Sequence, residues 1–282
     1  MLGHKLVQGL SGDFEVWCTL RGGFDSVERF NIFDSEKVLC AVDVADPESI
    51  RRAIEIVRPA HVINAVGVIK QLPSSKDVIQ TLTINSIFPH RLSKLGEEFG
   101  FRLVTISTDC VFAGTKGNYS ELDVADAYDL YGKSKNLGEV TDGKCVTVRT
   151  SIIGRELDSA HSLVEWFFSN RGSPVKGFAG AIYTGFPTVI FADIIRHLIT
   201  DQEHLHGLYH ISSDPISKYD LLQLIRSKFA LDIEIQRDEE FRIDRSLDSS
   251  KYRTETGFHP LAWESMVEKM AEDPTPYAQF RR

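Results

Sequence analysis

Between residues 2 and 150 the hydrophobic period keeps changing between helical and extended spacing, and this alternation constrains the fold more than any other feature. The stretch from Leu2 to Leu10 has helical spacing and ends at Ser11-Gly12. Phe14 to Thr19 and Val38 to Val42 are strand candidates. Pro47 to Val57 places Pro early, where its missing N–H costs least, and repeats Ile50, Ile54 and Val57 on one face. His61 to Asn64 is a short apolar strand, and Asp77 to Phe99 is predicted as one long helix ended by Gly100. Arg102 to Ser107 and Cys145 to Thr150 are strands, with a helix over Asp126 to Val140 between them. Strands alternating with helices build βαβ units and a parallel sheet covered on both faces. Such an α/β, doubly wound, Rossmann-like sheet binds its ligands beyond the carboxyl ends of its strands.

After residue 150 the pattern loosens. Gly172 to Pro187, rich in Gly and Pro, is expected to be irregular. Val189 to Ile199, Ser217 to Phe229 and Leu261 to Met270 have helical spacing; Leu208 to Ile211 and Ile233 to Gln236 are short strands. Residues 1–150 therefore form one α/β unit, and residues 151–282 a smaller lobe packed closely on it.

The 282 residues include 32 Lys+Arg and 40 Asp+Glu, a formal charge of −8, which argues against non-specific nucleic-acid binding. No apolar run of about 18 residues is present, and the start has no signal-like apolar region, so a cytoplasmic protein without a membrane span is expected. Four scattered cysteines (Cys18, Cys40, Cys110, Cys145) form no CxxC pair and suit a reducing compartment. The histidines follow no metal-ligand spacing, and no metal is expected.

The chemistry concentrates in Tyr131-Gly132-Lys133-Ser134-Lys135. Tyr131 and Lys135 share a helix face, and a nearby ammonium favours a phenolate, which would bring the tyrosine into use as an acid or base. Tyr and Lys at this spacing also occur on solvated helix faces. Upstream, the strand through Ile106 runs into Ser107-Thr108-Asp109, placing hydroxyls where the ligand crevice of such a sheet opens.

The run Ser107-Thr108-Asp109-Cys110-Val111-Phe112-Ala113-Gly114, followed by Tyr131-Gly132-Lys133-Ser134-Lys135 and Gly138-Glu139, resembles the extended short-chain dehydrogenase/reductases. More narrowly it is similar to the dTDP-4-dehydrorhamnose reductase group of sugar-nucleotide reductases. The stretch Asp244-Arg245-Ser246-Leu247-Asp248, with Gly257 and Trp263, carries the same resemblance. It implies NADPH-dependent reduction, with NADH as the other donor, of the C4 ketone of a nucleotide-linked 4-keto-6-deoxyhexose in surface polysaccharide precursor synthesis. Tyr131 would protonate the carbonyl oxygen. Lys135 would lower the Tyr131 pKa and hold the nicotinamide ribose, and Thr108 would place the carbonyl.

The resemblance further implies cofactor contacts at Gly3, Asp43, Asn64, Ala65, Val66, Gly67 and Asn85, beside Tyr131 and Lys135. It implies substrate contacts at Asp109, Cys110, Val111, Ile152 and Arg245, and at Lys70 toward a diphosphate. Arg21 follows the second expected strand without an acidic neighbour and is either a partner for a 2′-phosphate or a solvated loop charge. Of the fingerprint G-x-x-G-x-x-G only Gly3 is present. The expectation is that the first strand and most of the Gly-rich loop are absent, through a fragment, a misassigned start or natural shortening. Dimerisation is a family expectation.

The chain departs from the dTDP-rhamnose pattern at Val66-Gly67-Val68-Ile69-Lys70-Gln71 and at Ile152-Ile153, which leaves a UDP-linked amino sugar as a competing substrate. Two other functions compete. One is a non-catalytic subunit like the methionine adenosyltransferase regulatory subunit. The other is a sugar-nucleotide epimerase or dehydratase, disfavoured because Cys110 follows Asp109 where an acid would be expected.

Overall fold

The computed structural model describes residues 1–71 and 73–280. Helix α1 (Leu2–Leu10) leads to strand β1 (Cys18–Thr19), helix α2 (Asp25–Glu28), strand β2 (Val38–Leu39), helix α3 (Pro47–Val57) and strand β3 (His61–Asn64). Helices α4 (Val78–Leu82) and α5 (Phe88–Phe99) precede strand β4 (Arg102–Thr108), helix α6 (Leu130–Leu137), and strands β5 (Cys145–Thr150) and β6 (Ile152–Ile153). Then come helix α7 (Leu163–Ser169), strands β7 (Val175–Tyr183) and β8 (Phe186–Pro187), and helix α8 (Thr188–Thr200). Strands β9 (Gly207–His210) and β10 (Ile216–Ser217) follow, then helix α9 (Lys218–Lys228) and strand β11 (Ile235–Asp244). Helices α10 (Ser250–Thr256), α11 (Trp263–Ala271) and α12 (Tyr277–Phe280) complete the described chain.

The main sheet has the order β3-β4-β5-β9 and is parallel throughout. Its strands alternate between two cores, as a sheet buried on both faces requires. Val104, Val146 and Val148 pack with α1 and α8, whereas Leu103 and Cys145 pack with Ile50 and Ile54 of α3 and Leu92 of α5. The smaller lobe is built on the sheet β10-β7-β11. Among the described residues no helix is long and apolar enough to cross a membrane.

Strands β1 and β2 form a separate parallel pair and do not join the main sheet. Between β1 and β3 lies a cavity of about 590 Å³. Cys18 and Thr19 line one side and His61 to Asn64 the other, with Leu6 and Leu10 of α1 and Ile54 and Val57 of α3 also lining it. The β1 and β3 edges facing this space have no strand partner among the described residues.

Three expectations are corrected. Gly172 to Pro187 is not irregular: it holds β7, the central strand of the second lobe. Its glycines make room for neighbours, since a Cβ at Gly177 would crowd Tyr219 and one at Gly180 would crowd Phe241 and Arg242. The helix expected over Asp126 to Val140 spans only Leu130–Leu137, because the Asp129 side chain caps it by accepting the Gly132 N–H at 2.9 Å. The single helix expected over Asp77 to Phe99 is broken by a π turn at Thr83–Ile87. Pro89, with no N–H, cannot bond to the Asn85 carbonyl one helical turn back, so the ladder widens there.

Candidate active site

The freed Asn85 carbonyl organises what lies above it. Gly138 at the end of α6 sits so close to this oxygen that a Cβ would overlap it. The Asn85 side chain, 1% exposed, donates from Nδ2 to the Val68 carbonyl (3.1 Å) and the Ser134 hydroxyl (3.1 Å). Its Oδ1 accepts the Val68 N–H at 2.8 Å. Ser86 donates to the Ser134 carbonyl at 2.8 Å. Asn85 therefore joins the loop after β3 to the helix that carries Tyr131 and Lys135.

Strand β4 delivers Ser107 and Thr108 at its carboxyl end. The Thr108 hydroxyl accepts the Cys110 N–H at 3.1 Å and lies against the Tyr131 phenol. Burial raises the Tyr131 pKa above its ordinary value of 10, and Cys110, Asp109 and Asp129 push in the same direction. The Lys135 ammonium donates to the Ile106 carbonyl at 2.7 Å. Burial lowers its pKa to about 8, with Glu139 opposing. Against the expectation that Lys135 lowers the Tyr131 pKa, burial dominates and holds Tyr131 as the neutral phenol, while the ammonium spends one of its donors on a backbone oxygen.

Asp109 and Cys110 follow Thr108 in a short 3₁₀ turn. Burial raises both pKa values, that of Cys110 to about 12, so the thiol stays protonated. Arg245 anchors on the Phe112 carbonyl through Nε at 2.7 Å, and its charge favours the Asp109 carboxylate. Val111 is a correction. It is fully buried with Phe112, Tyr119 and Leu247, packing the floor and reaching no substrate surface. Ile152 is half-buried on β6. Lys70 is paired with Asp129 at 2.9 Å, so its charge is engaged by the cap of α6 and not left free for a diphosphate.

On the cofactor side, Ala65, Val66 and Gly67 form an exposed loop beyond β3. The buried Asn64 Oδ1 accepts the Val66 N–H at 3.2 Å, while its Nδ2 has no partner. An orphaned buried donor beside an exposed loop at the strand ends fits a nucleotide. Gly3, in the first turn of α1, has open space at its Cβ position. Asp43 follows β2, its Oδ1 accepting the Ala45 N–H at 2.9 Å. Arg21 is exposed in the loop after β1. These last two belong to the separate β1–β2 part and not to the cluster around Tyr131.

The sequence reading assigned no role to a buried network beneath this cluster, in which Glu139 meets Ser107 and Arg149. A glutamate four residues past Lys135 and an arginine inside an otherwise apolar strand were the available signals. Tyr183 was missed as well: its hydroxyl is buried without a partner close to Ser151.

The RmlD substrate binding domain family matches residues 2–275. The spore coat polysaccharide biosynthesis protein SpsK of Bacillus subtilis is 27% identical over 246 residues, covering 82% of this chain and 86% of that protein. A structure of a hypothetical dTDP-4-dehydrorhamnose reductase from Sulfolobus tokodaii superposes with a TM-score of 0.75 at 27% identity, covering 94% of this chain and 95% of the other. Methionine adenosyltransferase 2 subunit beta of Rattus norvegicus is 31% identical over a shorter stretch, 44% of this chain and 34% of that protein. The chain belongs to the RmlD substrate binding domain family, the NAD(P)-dependent sugar-nucleotide oxidoreductases of the short-chain dehydrogenase/reductase fold.

Proposed function

We propose that this chain reduces the C4 ketone of a nucleotide-linked 4-keto-6-deoxyhexose, with NADPH as preferred donor and NADH as the alternative. The observation that carries the reading is the convergence of Thr108 at the carboxyl end of β4 with Tyr131 and Lys135 on α6, beside Asp109, Cys110 and Arg245. The nicotinamide, when bound, supplies the hydride. The protein's own groups do the rest. Thr108 aims a hydroxyl at the ketone oxygen. Tyr131, kept protonated by burial, releases its proton to that oxygen as negative charge develops there. Lys135 presents an ammonium to the cofactor ribose, and Asn64 and the 65–67 loop flank the nucleotide.

Oxidation of NADPH followed at 340 nm with a panel of dTDP- and UDP-linked 4-keto sugars tests this. Turnover with one member is expected, and none with any member would overturn it. A second reading, a non-catalytic binding subunit, has the match to methionine adenosyltransferase 2 subunit beta in its favour. It predicts cofactor binding with no turnover across the whole panel.

A further inference from the structure

Glu139 carries a carboxylate whose side chain is 6% exposed, and the proton transfer above does not use it. Burying such a charge is costly unless it is paired and fully hydrogen-bonded. Here it is both. Oε1 accepts from the Ser107 hydroxyl (2.6 Å) and Arg149 Nε (2.7 Å), and Oε2 from Arg149 Nη2 (2.7 Å) and Asn136 Nδ2 (3.1 Å). The Arg149 guanidinium stacks over Phe112, and its Nη1 donates to His210 Nε2 at 3.2 Å. His210 Nδ1 lies 2.9 Å from the Tyr119 carbonyl, so that nitrogen carries the proton and the ring is neutral.

This network bonds to one group of the site and lies beside another. One is Ser107, the residue before Thr108. The other is Lys135, four positions before Glu139, whose ammonium is bound to the carbonyl of Ile106, the residue before Ser107. The charged and titratable groups facing this region are few. Glu139 favours the Lys135 charge. Arg149 stands behind Glu139, neutral His210 behind Arg149, and Glu121 and Asp248 act on the far side of His210.

We propose that Glu139 is a positioning residue of the reductase site: its carboxylate, clamped by Arg149 and bonded to Ser107, fixes the strand end that presents Thr108 and carries the carbonyl on which the Lys135 ammonium rests. Its catalytic meaning rests on the reductase reading; its action on Lys135 does not.

Glu139→Gln removes the anion and keeps Arg149, so it is the informative variant, with folding checked by circular dichroism. Lys135 is titrated by NMR in protein carrying ¹³Cε-labelled lysine, its signal assigned by loss in Lys135→Arg. In the parent it should titrate near pH 8. In Glu139→Gln the midpoint should fall by on the order of one pH unit, because an anion favouring the charged form is gone and the Arg149 cation stays. The alkaline limb of kcat for NADPH-dependent reduction should move down with it. Ser107→Ala should lower kcat severalfold while leaving the Lys135 midpoint in place. An unchanged Lys135 midpoint in the folded Glu139→Gln variant overturns the proposal. If that variant does not fold, Glu139→Asp serves, with a smaller downward shift expected and an unchanged midpoint again overturning it. A shifted midpoint in a protein that turns over no ketone sugar would sink the reductase reading and leave the positioning role standing.

Discussion

The Lys135 ammonium donates to the Ile106 carbonyl at 2.7 Å, which ties helix α6 to strand β4 two residues before Thr108. This bond uses one of three ammonium protons and leaves two for a cofactor ribose. Lys135→Met should therefore loosen cofactor and strand end together. We expect weaker NADPH binding by fluorescence titration and a loss in kcat of roughly 10²-fold or more. Retention of both would show that the ammonium serves packing alone.

Tyr131→Phe removes the proton donor and keeps the ring. Turnover should drop by roughly 10²–10⁴-fold. NADPH affinity should change little, since the phenol's neighbours are Thr108, Cys110 and Asp109. Near-normal turnover would remove Tyr131 from the mechanism.

Asn85→Ala deletes an acceptor and two donations inside a buried π turn, and leaves the Val68 N–H and carbonyl without those partners. A loss of about 1–3 kcal/mol in urea unfolding is expected. KM for the cofactor should rise more than kcat falls, because the loop after β3 is released while Tyr131 keeps its place. An equal fall in kcat with unchanged KM would contradict this.

His210 is fully buried, and burial together with Arg149 lowers its pKa from 6.5 to about 4. Between those values the unfolded chain binds a proton that the folded protein does not, so stability rises with pH there and falls on acidification from pH 6.5 toward 4. The contribution is on the order of 3 kcal/mol across the window. Thermal unfolding from pH 7 to 4 should show the slope, and His210→Gln should flatten it. His4, whose pKa burial lowers to about 3, adds to the slope in the same direction and remains in that variant.

Arg21 is exposed and unengaged in a loop, which suits a residue that waits for a phosphate. Arg21→Asp should lower kcat/KM with NADPH and raise it with NADH, by roughly tenfold each way if one charge-assisted contact is exchanged for repulsion. An unchanged ratio would assign Arg21 to solvent.

How much of this was legible in the sequence depends on range. The parallel sheet was, because each strand and helix carries its own period. So was the Tyr131–Lys135 pair, because a separation of four residues on a helix is a geometric statement. The destination of the Lys135 side chain was not, since a four-carbon stem can find a backbone oxygen as readily as a phenol. The π turn at Asn85 was hidden because one widened turn barely disturbs apolar spacing; Pro89 was its visible cause. Strand β7 was misread because the glycines that admit its neighbours look like loop residues. The Glu139 network draws on α6, β4, β5 and β9, and no local pattern reports a meeting of four elements.

The gap between β1 and β3 has a dynamic consequence. Backbone hydrogen bonds are what make a sheet unfold as one piece, and none crosses this line among the described residues. The β1–β2 pair therefore shares no ladder bonds with the four-stranded sheet and meets it through one apolar cluster that holds Leu39, Val62 and Leu103. Amide hydrogen exchange should divide along the same line, with slow protons in β4 and β5 and fast ones in β1 and β2. The small part of the molecule that holds Arg21 and Asp43 would then open without disturbing the part that holds Tyr131.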